Sequence, residues 1–242
     1  MILLLTGCIN PNGMAYTSLS NQEERKKQYV KAINFYLSNT NYPVIFTENS
    51  GTDISSLFQD KIEIGRMEYL TFHGNQNKEY GNGYGECEII EYTFNHSKLI
   101  LTSKDHYIIK ITGRLIIKNI AKIIRFHRFF FPPKTVFCAI NSDFSFPDSR
   151  FVIAPIKFWE VFLNSKDRIN DSKGYFFEHA LCDTLKKEKE FPYSPFLLMP
   201  YIEGMSGSTG EIYTGGEHTL SFAQKYLKYT LSQRHKFIRR YR

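Results

Sequence analysis

The sequence predicts an α/β fold: a mostly parallel central sheet flanked by helices, with a basic helix at the C-terminal end. Three observations carry this. First, an apolar strand over 1–9 leads through the turn cluster Asn10-Pro11-Asn12-Gly13 to a helix and then to a short strand over 43–47. Strand, helix, strand at that spacing is a βαβ unit, whose two strands lie parallel. Second, Tyr107, Ile108, Ile109 and Ile111 form a β-rich apolar run punctuated by Gly113, as expected of a buried strand. Third, the 242 residues suffice for a substantial core, and no internal repeat or low-complexity linker interrupts them.

The elements follow in order. Ser20 is the expected N-cap of the first helix, with Glu23 at the capping-box position and Val30, Ile33, Phe35 and Leu37 on its apolar face. A third strand is expected over 67–72. The glycine-rich Tyr80-Gly81-Asn82-Gly83-Tyr84-Gly85 then enters a helix over 86–94, where it is either a flexible turn or an anion site on free N–H groups. After the strand at 107–111 come a helix over 119–126, a strand over 135–140, a strand over 150–154 and a helix over 157–163. Residues 171–174 make a turn, 175–185 a helix, 195–201 a last strand, 203–210 a Gly/Ser loop and 219–242 a basic helix.

Composition narrows the class. With 21 Phe and 16 Tyr the chain is rich in aromatics, which suit β-rich interiors and sugar-stacking surfaces alike. Cys8, Cys87, Cys138 and Cys182 show neither a C-x-x-C pair nor zinc spacing, and scattered single cysteines fit a reducing, cytoplasmic compartment. Leu5-Thr6-Gly7-Cys8 resembles a lipoprotein box. However, no basic residue precedes it, and its apolar run is too short for a signal segment. No stretch approaches the length of a membrane span. Between Lys225 and Arg242 lie seven Lys/Arg and no acid, which accounts for the whole net charge of +7. A neutral body argues against a nucleic-acid surface. The basic and aromatic tail reads as a helix drawn to an anionic membrane, or as a solvated terminal helix packed by its apolar side.

The chemistry gathers at strand ends, where open α/β sheets bind ligands. Lys110, Thr112, Gly113 and Arg114 close the 107–111 strand, offering a point charge and a planar fork to a diphosphate. Thr6 and Gly7 end the first strand and Glu48-Asn49 the second, as nucleoside contacts or as turn and cap residues. Glu178 lies in an apolar run that would raise its pKa, which suits a general base, with Asp171 and Asp183 as fallbacks. Asp148 and Arg150 flank a strand start, facing an acceptor or simply pairing with each other. The seven histidines show no metal-ligand spacing.

The order of these motifs resembles a GT-A glycosyltransferase, in particular the small enzymes of bacterial surface-polysaccharide (lipopolysaccharide or capsule) assembly. The resemblance runs from Leu3 to about Tyr213. Leu5-Thr6-Gly7 with Asn10-Pro11, the glycine loop 81–91, the strand 107–114, and Gly174-Tyr175-Phe176-Phe177-Glu178 carry it. Glu203 and Ser206, in Ile202-Glu203-Gly204-Met205-Ser206-Gly207-Ser208, look like part of a late substrate-closing loop. The resemblance implies a GT-A-like catalytic domain over 1–218, with a nucleotide-binding half to about 115 and an acceptor half beyond it. It also implies inverting transfer from a nucleotide-sugar to a glycan, lipid-linked for a protein peripheral on the inner face of the membrane. The family's Asp-x-Asp metal motif is missing. Its place reads Lys110-Ile111-Thr112-Gly113-Arg114, and Asn141-Ser142-Asp143 substitutes poorly, so the implied site has no metal or other cofactor and uses basic side chains. The alternative is a non-catalytic α/β module that binds carbohydrate or nucleotide and docks by its basic tail.

Overall fold

A computed structural model describes residues 1–13, 17–102, 107–130, 132–141, 143–207, 209–214, 224, 227–229 and 231. Most of the expected tail helix, Lys225 included, lies outside them; Gln224, Leu227, Lys228, Tyr229 and Leu231 are helical.

In chain order the strands are β1 (Ile2–Gly7), β2 (Val44–Glu48), β3 (Met67–Thr71), β4 (Tyr107–Thr112), β5 (Ile116–Ile117), β6 (Val136–Ile140), β7 (Pro147–Pro155), β8 (Tyr193–Ser194), β9 (Ile202–Met205) and β10 (Ile212–Thr214). The helices are α1 (Gln22–Asn39), α2 (Gln59–Glu63), α3 (Asn82–His96), α4 (Lys98–Thr102), α5 (Ile120–Phe130), α6 (Ile156–Leu163) and α7 (Phe177–Lys187).

Seven strands form the main sheet in the order β3-β2-β1-β4-β7-β6-β8, and β10-β9-β5 form a small second sheet. Only β7 runs against its neighbours in the main sheet; β1 is parallel to β2 and β4, and β6 to β8. The expected α/β sheet is therefore present. The chain builds outward from β1 through β2 to β3, then returns to place β4 on the other side of β1. Such a reversal opens a crevice at the carboxyl ends of β1 and β4.

β1 is buried along its whole length, which explains its unbroken Ile-Leu-Leu-Leu run. Alternate side chains enter two cores. Leu3 and Leu5 join Ile109, Ile111 and α1 on one face, while Ile2 and Leu4 join Ile108, α3, α6 and α7 on the other. The second core contains the only tryptophan. Trp159 is fully buried, with the rings of Phe158 and Phe162 edge-on at 5.9 and 5.7 Å.

Three expectations need correction. The N-cap of α1 is Asn21, not Ser20; its side chain accepts from the Glu24 N–H at 3.0 Å. The buried face of α1 is Tyr29, Ala32, Ile33 and Tyr36, because both tyrosine hydroxyls find partners. Tyr36 donates to the Leu115 carbonyl and accepts from the Ile117 N–H, and Tyr29 accepts from the Cys8 N–H. Residues 195–201 are not a strand: Pro195 and Pro200 lack donors, and Asn119 holds the segment by accepting from the Tyr201 N–H and donating to the Met199 carbonyl. The strands fall on either side, as β8 and β9.

Candidate active site

Thr6 of β1 and Thr112 of β4 are register partners at the crevice. The Gly113 N–H donates to the Thr6 carbonyl at 2.8 Å, and a Cβ at Gly113 would lie 2.6 Å from that oxygen. Only glycine permits this approach. Above it lies a cavity of about 700 Å³, a volume suited to a small organic ligand. Of the expected residues, Thr6, Gly7, Asn49, Thr112, Arg114, Arg150, Glu178 and Ser206 line it. Glu48, Lys110, Gly113, Asp148 and Glu203 do not.

Lys110 corrects the simplest sequence reading. It shares the parity of Ile108 on β4, so its side chain turns toward α3 and α7 and is wholly buried. Its Nζ lies 2.5 Å from Glu86 Oε1 and donates to the Ser149 carbonyl at 2.6 Å. Phe177 presents its ring 5.2 Å away. The Thr6 hydroxyl donates to the same Glu86 oxygen at 2.9 Å. Lys110 is thus a buried, neutralised cation beneath the site. Neither Glu86 nor Ser149 was anticipated from the sequence, yet both line the cavity.

Arg114 remains a cavity cation. Its Nη1 donates to Gln28 Oε1 at 3.3 Å and to the Met205 carbonyl at 3.1 Å, and its guanidinium carbon lies 5.9 Å from the centre of the Tyr29 ring. Its Nε is buried with no hydrogen-bond partner among the described residues, an arrangement that favours an added acceptor. The β9–β10 hairpin closes against it: a Cβ at Gly207 would lie 2.2 Å from Arg114 Nη2. Arg25, also unforeseen, lines the cavity while donating to the carbonyls of Cys8 and Leu19. Burial pushes the neighbouring Cys8 thiol up to about 11.

The glycine-rich loop does receive an anion, but an internal one. Asp171 Oδ2 accepts from the Gly83 N–H at 3.1 Å at the start of α3. A Cβ at Gly81, where φ is +87°, would lie 2.4 Å from that oxygen. The other Asp171 oxygen is buried with no partner among the described residues, and burial raises this carboxyl above its usual range. Glu48 is likewise structural. Its carboxylate accepts from the N–H groups of Ile9, Ser50 and Thr52 and from the hydroxyls of Ser50 and Thr71, fixing the turn after β2. Asn49 donates to Asn75 and to the Gly85 carbonyl, leaving its own Oδ1 buried and unmatched among the described residues.

Glu178 opens α7 and enters the cavity wall. The Ser149 hydroxyl donates to its Oε1 at 2.5 Å. Burial lifts its pKa and Glu86 adds to the rise, while the Ser149 hydroxyl and the Lys110 ammonium oppose it. Asp148 grips Arg150 through Nε and Nη2 at 2.8 and 2.6 Å, and Arg150 lies over the Tyr213 ring at 4.8 Å. Glu203 pairs with Lys31 and Lys118 at 2.6 and 3.4 Å. Asp183, the other fallback acid, pairs with Arg168 and accepts from the Tyr175 hydroxyl. Three carboxylates line the cavity, but Glu86, Asp171 and Glu178 each already hold an internal donor. Among the described residues no three His, Cys, Asp or Glu side chains gather as metal ligands.

No protein-family model matches the chain, and no curated protein matches it. Solved structures similar to it include a Saccharomyces cerevisiae mannosyltransferase in complex with GDP, at 10% identity over 94% of this chain and 80% of that one, with a TM-score of 0.44. Mouse xyloside xylosyltransferase 1 is similar at 11% identity over 80% and 84%, with a TM-score of 0.41. A cytidylyltransferase from Leptospira borgpetersenii is similar at 10% identity over 81% and 74%, also with a TM-score of 0.41.

Proposed function

We propose that the chain is a glycosyltransferase that moves a sugar from a nucleotide-sugar to a glycan, inverting the anomeric centre without a metal. The observation that carries this reading is one cavity, at the reversal point of the sheet, lined by both the Arg114 cation and the pKa-raised Glu178. Thr6, Gly7, Asn49 and Thr112 form the donor side, and Arg114 holds the phosphates. Glu178 takes the proton of the acceptor hydroxyl as the new C1–O bond forms. The C1–O bond to phosphate breaks, and its electron pair leaves with the nucleoside diphosphate, whose growing charge faces the Arg114 cation. Ser149 and Lys110 position Glu178 rather than touch substrate. Arg150 and Ser206 meet the acceptor.

The acceptor is lipid-linked in this proposal, and the basic residues Lys225 to Arg242 bring the protein to an anionic membrane. Among the described residues, no helix is long and apolar enough to cross a membrane. Thermal shifts with UDP, GDP, CMP and dTDP, each with EDTA and with manganese, test the donor site. A selective shift that survives EDTA supports the reading, and a shift only with manganese overturns its metal independence. No shift with any nucleotide favours a carbohydrate-binding module instead.

A further inference from the structure

Of the exposed large apolar residues among the described residues, Phe146 and Phe176 are the two that line the cavity. Among the described residues, Phe146 at 40% and Phe176 at 38% are the only phenylalanines with high exposure. Both line the cavity that holds Glu178. Their rings meet edge to face, with centroids 6.4 Å apart and planes at 73°. His179 completes the group, stacked on Phe176 at 5.4 Å and 24° and edge-on to Phe146 at 5.3 Å and 84°.

The surroundings hold these rings in place. Phe177 turns inward onto Phe162 at 4.7 Å, so the chain entering α7 places Phe176 outward and Glu178 on the cavity wall. Phe146 is fixed through its backbone: its N–H donates to Asn141 Oδ1, and its carbonyl accepts from the Asn141 N–H. His179 Nδ1 accepts from the Phe176 N–H at 3.1 Å, so the neutral ring carries its proton on Nε2 as a donor.

Flat apolar faces at a wet mouth suit a ligand with one apolar face and a polar rim. Glu178 and Arg150 supply the polar partners in the same cavity. A pyranose has this pattern, with C–H bonds on one face and hydroxyls around its edge. An alkyl chain has no use for the charged neighbours.

We propose that Phe146 and Phe176, buttressed by His179, form an aromatic platform for the apolar face of the acceptor pyranose, turning one of its hydroxyls toward Glu178. The catalytic part of this inference rests on the transferase reading, whereas the sugar site does not. Saturation-transfer NMR on the full chain, with methyl pyranosides of glucose, galactose and mannose and with octyl glucoside, tests binding without turnover. The ring protons of at least one pyranoside should saturate, with or without UDP or GDP. The signal should fall about tenfold in Phe176→Leu and Phe146→Leu, which keep apolar area but lose the π face. It should persist in Phe176→Tyr, with melting temperatures confirming that each variant folds. Unchanged signals in the leucine variants would overturn the platform, as would silence from every pyranoside. Preferential saturation of the octyl chain would make it an alkyl site, and loss of nucleotide base signals in the leucine variants would reassign it to the nucleobase. If pyranoside binding behaves as expected while no nucleotide binds, the platform stands and the transferase reading fails.

Discussion

Replacing Lys110 by methionine would strip Glu86 of its ammonium partner and the Ser149 carbonyl of its donor. Breaking a buried pair in this way costs about 3–5 kcal/mol. Urea unfolding should show that loss, and Lys110→Met with Glu86→Gln should recover part of it. If Lys110 held donor phosphate instead, nucleotide affinity would fall and stability would barely move. Arg114→Met should behave oppositely, weakening nucleotide binding by roughly 1.5–3 kcal/mol, a factor of about 10 to 150 in Kd by titration, with a smaller effect on folding. Glu178 gives a pH signature. Its carboxyl is raised in the folded protein, so the folded state favours the protonated form; that contribution is full below the ordinary carboxyl pKa and disappears as pH rises through the raised value. Glu178→Gln should therefore melt higher than the parent at pH 8, with the gap closing toward pH 4. The variant should bind donor normally and transfer nothing. Normal turnover by it would remove Glu178 from the role of base.

At the level of elements, two glycines carry distinct work. Gly81→Ala forces a Cβ onto Asp171 at a positive φ, a strain of about 1–3 kcal/mol that denaturant unfolding should detect. Gly207→Ala drives its Cβ into Arg114 Nη2. It should copy the nucleotide-binding defect of Arg114→Met at little cost in stability. These relations explain what the sequence could and could not disclose. β1 and β4 were legible because central strands are apolar on both faces, and the βαβ spacing then set their direction. The role of Lys110 was not. Strand parity sends it inward, but its partner Glu86 lies on another element with nothing in the sequence to pair the two. The glycine loop was legible only as a turn or an anion site, because its occupant, Asp171, arrives from 88 residues away. Pro195 and Pro200 gave warning against a strand, and only the contacts of Asn119 show where that segment goes.

For the molecule as a whole, the net charge is concentrated at one end of the chain. The net positive charge resides at the C-terminal end, while the sheet that builds the cavity uses residues before it. A chain ending at Phe222 should lose co-sedimentation with anionic vesicles yet keep its nucleotide-induced thermal shift. Equal sedimentation of both chains would refute the membrane role. The two halves expected from the sequence contribute strands to one continuous sheet, with β4 hydrogen-bonded to β7, so cavity and core should unfold together. The lone Trp159 makes that visible. Sealed among phenylalanine rings and absent from the cavity wall, the indole should emit in the blue and ignore ligand. It should shift to the red only when the sheet's α6–α7 side opens, giving an intrinsic fluorescence signal for global unfolding with no added dye.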